Sequence, residues 1–209
     1  MIDGEAVIFV VDDDQDIRTS LSRSLSIRGF TVRAYDSAQA FLNAYDDTVI
    51  GCLVLDYGMP GMSGLELQAH IIRQGYPLPI IFITGHGGVP ESVQAMKGGA
   101  VDFLEKPFRQ SVLVERIRTA CKMALAMKTA AGHAQDVALR FDRLTARERE
   151  IVDFILEHPG EVTSKEVGRM LGISPRTVDH HRARILEKLE VRSVVELVDL
   201  AKGSNGPIR

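Results

Sequence analysis

Cysteine is scarce in this 209-residue chain: only Cys52 and Cys121 occur. Neither has a paired or metal-type spacing, so a disulfide framework is not expected. Both read as small buried hydrophobes of a reduced compartment. No apolar run approaches the roughly 18 residues of a membrane span, and no basic stretch followed by a long apolar one opens the chain. A cytoplasmic location is the resulting expectation. Internal repeats and low-complexity tracts are absent too. There is also no strong excess of one charge. The net charge is −3, so global charge gives no reason to expect a polyanionic partner.

What is present is enough apolar residue, 45 %, to build packed cores. The length favours two domains over one. Charge divides along the chain. Residues 1–122 carry 11 Lys/Arg and 15 Asp/Glu, and residues 140–209 carry 13 and 12. Only within 163–192, with 7 basic and 4 acidic residues, is there a local positive excess.

The first 110 residues alternate strand and helix signals. Ala6–Val11 is an apolar run that ends in acids. Asp14–Arg28 has helical periodicity through Ile17, Leu21 and Leu25, and Gly29 stops it. Thr31–Ala34 is a short strand, and Ser37 caps a helix to about Tyr45. Cys52–Leu55 is a strand ending at Asp56. Met62–Gly75 is helical, Pro79–Thr84 a strand, Pro90–Gly98 helical, Val101–Leu104 a strand, and Arg109 onward helical. Such β-then-α units predict an α/β doubly wound, five-stranded parallel sheet covered on both faces. Ligands bind such sheets beyond the carboxyl ends of the strands. The acids Asp12, Asp13, Asp14 and Asp56 fall there.

Asp12, Asp13 and Asp56 converge in a doubly wound strand order. Clustered carboxylates repel one another, and a hard divalent cation relieves that repulsion. This predicts a Mg2+ site that handles phosphate. Lys106 follows the fifth strand, where an ammonium can neutralise a carboxylate or a phosphoryl oxygen. The Lys106–Pro107 bond can adopt cis at modest cost, which would aim the lysine inward. Thr84 offers a hydroxyl donor, and Gly85 leaves room beside it.

These residues occur as Val-Asp-Asp-Asp at 11–14, Leu-Asp-Tyr-Gly-Met-Pro-Gly-Met-Ser-Gly at 55–64, Thr-Gly-His-Gly at 84–87 and Phe-Leu-Glu-Lys-Pro-Phe at 103–108. As a set they resemble the CheY-like receiver domain of two-component response regulators, over residues 5–122. The resemblance implies that Asp56 is the phosphoacceptor. It implies that Asp12, Asp13, Asp56 and the Gly58 carbonyl hold Mg2+, that Lys106 contacts the phosphoryl group, and that Thr84 and Phe103 form a switch pair. Gly58 stands where the family often has Arg or Asn, and a carbonyl ligand needs no side chain. The family's activity is acceptance of phosphate from a sensor histidine kinase, not catalysis on a separate substrate.

From Ser111 to Arg143 the pattern stays helical without proline, softened only at Gly132, and 122–140 is rich in Ala, Met and Lys. The last receiver helix is expected to run into a helical linker. The domains are then a receiver over 1–122, a linker over 123–142 and a second domain over 143–209. In that domain Thr145 and Glu148 make a capping box, and so do Thr163 and Glu166. Ser174 with Pro175 opens a further helix to about Leu189. Two short helices joined by Leu-Gly-Ile-Ser at 171–174 are a helix-turn-helix pattern in an all-α, four-helix domain. It resembles the LuxR-type domain, as in regulators of the FixJ/NarL type, over about 143–202. That resemblance places Asp179, His180 and Ala183 near base edges, and Lys165, Arg176, Thr177, His181, Arg184 and Lys188 at phosphates. Asp179 can also pair with Arg176 or Arg182. The segment His158–Ser164 is about three residues longer than the family norm.

The combined reading is a response regulator transcription factor. Phosphorylation of Asp56 promotes homodimerisation and binding to double-stranded promoter DNA, with RNA polymerase a further candidate partner. The alternative is a phosphate-independent regulator with a preformed dimer.

Overall fold

The computed structural model describes residues 6–85, 88–158 and 163–203. The apolar runs form five strands: Val7–Val11 (β1), Thr31–Tyr35 (β2), Gly51–Asp56 (β3), Ile80–Thr84 (β4) and Asp102–Glu105 (β5). They pair in parallel in the order β2-β1-β3-β4-β5. Helices Gln15–Ile27 (α1), Ala38–Ala44 (α2), Gly64–Gln74 (α3) and Val89–Lys97 (α4) connect them. A long helix, Gln110–Asp142 (α5), follows. The chain divides into two compact units, Met1–Lys128 and Thr129–Arg209. No helix among the described residues is long and apolar enough to cross a membrane.

Strand side chains alternate between two faces, so each strand feeds two cores. Val7, Phe9, Val11, Leu53, Leu55 and Phe82 pack with Phe41 of α2, Leu67 and Ile71 of α3 and Ala95 of α4. Ile8, Val10, Cys52, Val54, Ile81 and Ile83 pack with Leu21 and Leu25 of α1 and with Leu113, Ile117, Ala120 and Cys121 of α5. Both cysteines are free and buried. Their mutual hydrogen bond, and then burial, hold the Cys52 thiol well above its ordinary pKa. That keeps it in the unreactive thiol form.

The strand order places the switch point between β1 and β3, because β2 leaves to one side of β1 and β3 to the other. Asp12 follows β1 and Asp56 ends β3, so both lie at that crevice. Asp14 has a separate use. Its side chain caps α1 by accepting from the N–H groups of Asp16 and Ile17.

The second unit contains helices Ala146–Glu157 (α6), Ser164–Leu171 (α7), Pro175–Leu189 (α8) and Val194–Gly203 (α9). The capping boxes at Thr145/Glu148 and Thr163/Glu166 are both formed. Ser174 caps α8, with Pro175 in its first turn. Ile151, Val152, Ile155, Val167, Val178, Ile185, Leu189 and Leu197 share one core. Gly168 makes the corner between α7 and α8 close-fitting: a Cβ there would meet the Ile173 carbonyl oxygen at 2.7 Å.

The segment 123–142 differs from a simple linker. It is helical throughout, including Gly132. Ala124, however, is buried, and Val137 and Phe141 are buried in the second unit's core. Val137 and Phe141 are spaced i, i+4, which puts them on one face of the helix.

Candidate functional site

At the crevice, Lys106 bridges the two carboxylates. Its Nζ donates to Asp12 Oδ2 at 2.7 Å and to Asp56 Oδ1 at 2.7 Å. Asp12 is 1 % exposed and Asp56 7 %. The other oxygens are also held: Asp12 Oδ1 accepts from the Asp14 N–H at 2.9 Å, and Asp56 Oδ2 from the Gly58 N–H at 2.7 Å. Each carboxylate plane is therefore fixed from two sides.

The electrostatics are unbalanced. Burial raises the Asp12 pKa above its ordinary value, although hydrogen bonds from Lys106 and the Asp14 N–H pull the other way. Burial works against the Lys106 ammonium, but the two carboxylates outweigh it and raise its pKa. One cation thus serves two desolvated anions. A second positive charge, or chemistry that spreads the negative charge over a larger group, would relieve that imbalance.

Other predicted residues take up distinct places. Asp13 stands exposed. Among the described residues no three acidic, histidine or cysteine side chains gather as a metal cluster. Gly58 contributes its N–H to Asp56, and a Cβ there would lie 3.8 Å from Asp56 Oδ2, in ordinary contact. Thr84 is buried, and its carbonyl accepts from the Lys106 N–H at 2.7 Å. The Lys106–Pro107 bond is cis. Phe103 is half-buried, its ring centroid 6.1 Å from that of Tyr57 and 6.2 Å from that of Phe82. His86 and Gly87 of the Thr-Gly-His-Gly motif lie outside the described residues.

Three residues were missed by sequence reasoning. Arg18 donates from Nη1 to the Asp12 carbonyl at 2.8 Å, fixing the backbone that carries the acid. Gly64 lets the start of α3 approach β3, since a Cβ would meet the Asp56 carbonyl at 2.4 Å. Buried Gln68 of α3 donates from Nε2 to the carbonyls of Ala95 and Gly98, both at 3.0 Å, tying down the end of α4. The helical spacing of Arg18, the Ser-Gly before α3 and a lone Gln among apolar residues were the available signals.

In the second unit, Lys165, Arg176, Thr177, Asp179, His180, Ala183 and Arg184 are exposed on α7 and α8, and His181 is half-buried. Two of the predicted DNA-contact residues have partners within the domain. Asp179 accepts from the Ser164 hydroxyl, which Arg182 also contacts through Nη1 at 3.0 Å. Its local partner is thus a hydroxyl at the start of α7. Lys188, expected at a phosphate, donates to Glu148 Oε2 at 2.6 Å. Glu148 is 1 % exposed. Burial pushes the Glu148 pKa up, but Lys188 and Thr145 more than offset this and lower it. A buried carboxylate therefore claims this lysine. The long segment after His158 falls largely on residues 159–162, outside the described residues.

Comparison with known proteins decides the family. Residues 8–118 match the response regulator receiver domain, and residues 142–201 match the bacterial regulatory proteins of the luxR family. This chain is a response regulator with a LuxR-type DNA-binding domain. The transcriptional regulatory protein FixJ of Bradyrhizobium diazoefficiens is 42 % identical over 194 residues, covering 93 % of each chain. The response regulator protein TmoT of Ectopseudomonas mendocina is 41 % identical over 198 residues, 95 % of this chain and 89 % of its own. Among solved structures, the response regulator StyR matches with a TM-score of 0.81 at 38 % identity, over 95 % of this chain and 98 % of StyR. Full-length FixJ from B. japonicum matches at 0.58 and 41 % identity, over 96 % and 97 %. The regulator is thus a transcription factor and not an enzyme.

Proposed function

We propose that this regulator accepts a phosphoryl group on Asp56 from the phosphohistidine of a partner sensor kinase in the cytoplasm, and that the phosphorylated form dimerises on promoter DNA. The observation that carries the reading is Lys106 between Asp12 and Asp56, 2.7 Å from each. A carboxylate oxygen of Asp56 forms the bond to phosphorus as the nitrogen–phosphorus bond of the donor breaks, and the imidazole leaves with a proton. Little covalent work falls to the protein, so positioning and charge neutralisation dominate. Gly58 N–H and Lys106 hold Asp56 in one orientation, and Lys106 stays close to the negative oxygens that arrive. Hydrolysis of the acyl phosphate by water restores the carboxylate.

The donor set of Asp12, Asp13 and Asp56 carboxylates with the Gly58 carbonyl is all hard oxygen, which suits Mg2+. The incompletely compensated burial of Asp12 adds to that fit. Held by these groups, Mg2+ would supply positive charge to offset that of the incoming phosphoryl group.

Phosphorylation brings about −1.5 to −2 charge units into the pocket. Thr84, one residue beyond Ile83, the register partner of Asp56, then turns its hydroxyl toward the phosphoryl group. Phe103 moves into the space it leaves against Tyr57 and Phe82, and the surface of α4, β5 and the start of α5 is remodelled. Dimerisation there turns two weak half-site contacts into one two-site contact and raises affinity by effective concentration. On DNA, Asp179, His180 and Ala183 face base edges. Lys165, Arg176, Thr177, His181 and Arg184 meet phosphates, which position without specifying. RNA polymerase is the partner through which bound regulator would alter transcription.

Sedimentation of the protein with and without beryllofluoride tests the switch. The expected result is a monomer that becomes a dimer, with Phe103→Ala binding the phosphoryl mimic but staying monomeric. Equal mass in both states would refute phosphorylation-dependent dimerisation. A Phe103→Ala dimer would refute the Phe103 route.

A further inference from the structure

Glu190 is the one residue other than glycine with positive φ among the described residues, at 57°. It ends α8 in the left-handed conformation, its N–H reaching the carbonyls of Leu186 and Glu187. Left-handed backbone suits glycine, and a side chain with a Cβ is disfavoured there. The neighbouring helix α7 ends at Gly172 in the same conformation, φ 66°. The recognition helix therefore carries an ill-suited residue at its stop.

Glu190 pairs there with charge from the end of α5. Its Oε2 lies 3.4 Å from Arg140 Nη2, and its Oε1 3.4 Å from Arg143 Nη1. Arg140 also donates from Nη1 to the Leu189 carbonyl at 3.3 Å, and its Nη2 is 2.8 Å from Asp136. A cation at this carbonyl complements the negative end of the helix. The last turns of α5 are themselves anchored. Val137 and Phe141 share a core with Ile185 and Leu189, and Arg149 donates to the Phe141 carbonyl at 2.9 Å.

We propose that Glu190, Arg140 and Arg143 form a clamp that sets the pose of α8 for DNA, making Glu190 and Arg140 positioning residues for recognition. Neither needs to touch the duplex. The residues that would face bases, Asp179 to Ala183, lie in the middle turns of α8, and the clamp fixes its C-terminal end. The inference rests on DNA binding by this domain and not on phosphorylation.

Electrostatics and positioning predict opposite outcomes, which makes the clamp testable. Removing an acid and releasing two arginines should tighten binding to any polyanion. Loss of pose should weaken specific binding. The full-length protein is tested on a duplex selected by the wild type from a random pool and on a scrambled duplex. Glu190→Gly keeps the left-handed turn, so its Tm should be unchanged or higher. Its affinity for the selected duplex should fall about tenfold, while binding to the scrambled duplex holds or rises. Glu190→Gln keeps the reach without the charge and should show the same fall in specificity. Selected-site affinity equal to or above wild type in Glu190→Gly would overturn the clamp. So would a lowered Tm with parallel loss on both duplexes, which would make the role one of stability alone.

Discussion

Lys106→Met should destabilise the receiver domain by about 3 kcal/mol at neutral pH in the presence of a chelator, the range for a buried pair that loses one partner. Asp12 and Asp56 would remain, both buried, with no cation between them. Burial already raises the Asp12 pKa, and removal of Lys106 takes away a group that lowers it. The sign follows. A carboxyl whose folded pKa is raised favours the fold while protonated, and that contribution is lost as pH rises through the folded value. Lys106→Met should therefore regain stability on acidification through the Asp12 titration. Wild-type Lys106, whose pKa is raised, contributes throughout the neutral range and loses its contribution only in strong alkali. Added Mg2+ should restore much of the variant's Tm, because ligands that bind only the native state stabilise it by mass action. Denaturant titration at several pH values with and without Mg2+ checks this. A variant as stable as wild type in chelator, or one unmoved by pH, would contradict the charge balance described for the crevice.

Lys188→Met should cost the DNA-binding domain a similar amount, about 3 kcal/mol, by leaving Glu148 buried without its cation. The reverse truncation should be milder. In Glu148→Leu the orphaned lysine, 31 % exposed along its side chain, can extend into water on its flexible stem. That variant loses the Thr145 bond of the capping box as well, about 1 kcal/mol. The double variant should recover most of the Lys188→Met loss, since no unpaired charge remains. Glu148 also sets an acid limit. Its folded pKa lies below its ordinary value, so the pair stabilises fully above that ordinary value and is lost as pH falls through the folded one. Lys188→Met should lack this acid step. A double-mutant cycle by thermal denaturation settles the matter. Should Lys188→Met keep full stability and only weaken DNA binding, the lysine would be a phosphate contact after all.

The meeting of Asp12, Asp56 and Lys106 was legible because each sits at the end of a strand, whereas Asp13 stands exposed beside them. Strand ends can be read from apolar runs, and parallel order then brings them together. The caps of α6, α7 and α8 were legible for a similar reason: Thr145, Thr163 and Ser174 each act within three residues of themselves. Partners distant in sequence were not. A helical wheel puts Lys188 outside with Arg184, and nothing local reveals that Glu148, in another helix, is buried and will take it. Asp179 went to Ser164 for the same reason. Gly64 and Gly168 resemble ordinary turn glycines until the backbone that a Cβ would strike is known. Val137 and Phe141 look like spacer in an Ala-rich helix, yet they pack into the DNA-binding unit's core, and no local signal in the sequence shows it.

The proposed phosphoacceptor is Asp56 and not Asp12. Incubation with acetyl phosphate and Mg2+, followed by borohydride trapping and peptide mass spectrometry, tests it directly. One phosphoryl group should enter the wild type, with the trapped acyl carbon at Asp56, and none should enter Asp56→Asn. Uptake that persists in Asp56→Asn, or a label found at Asp12, would refute Asp56 as the acceptor.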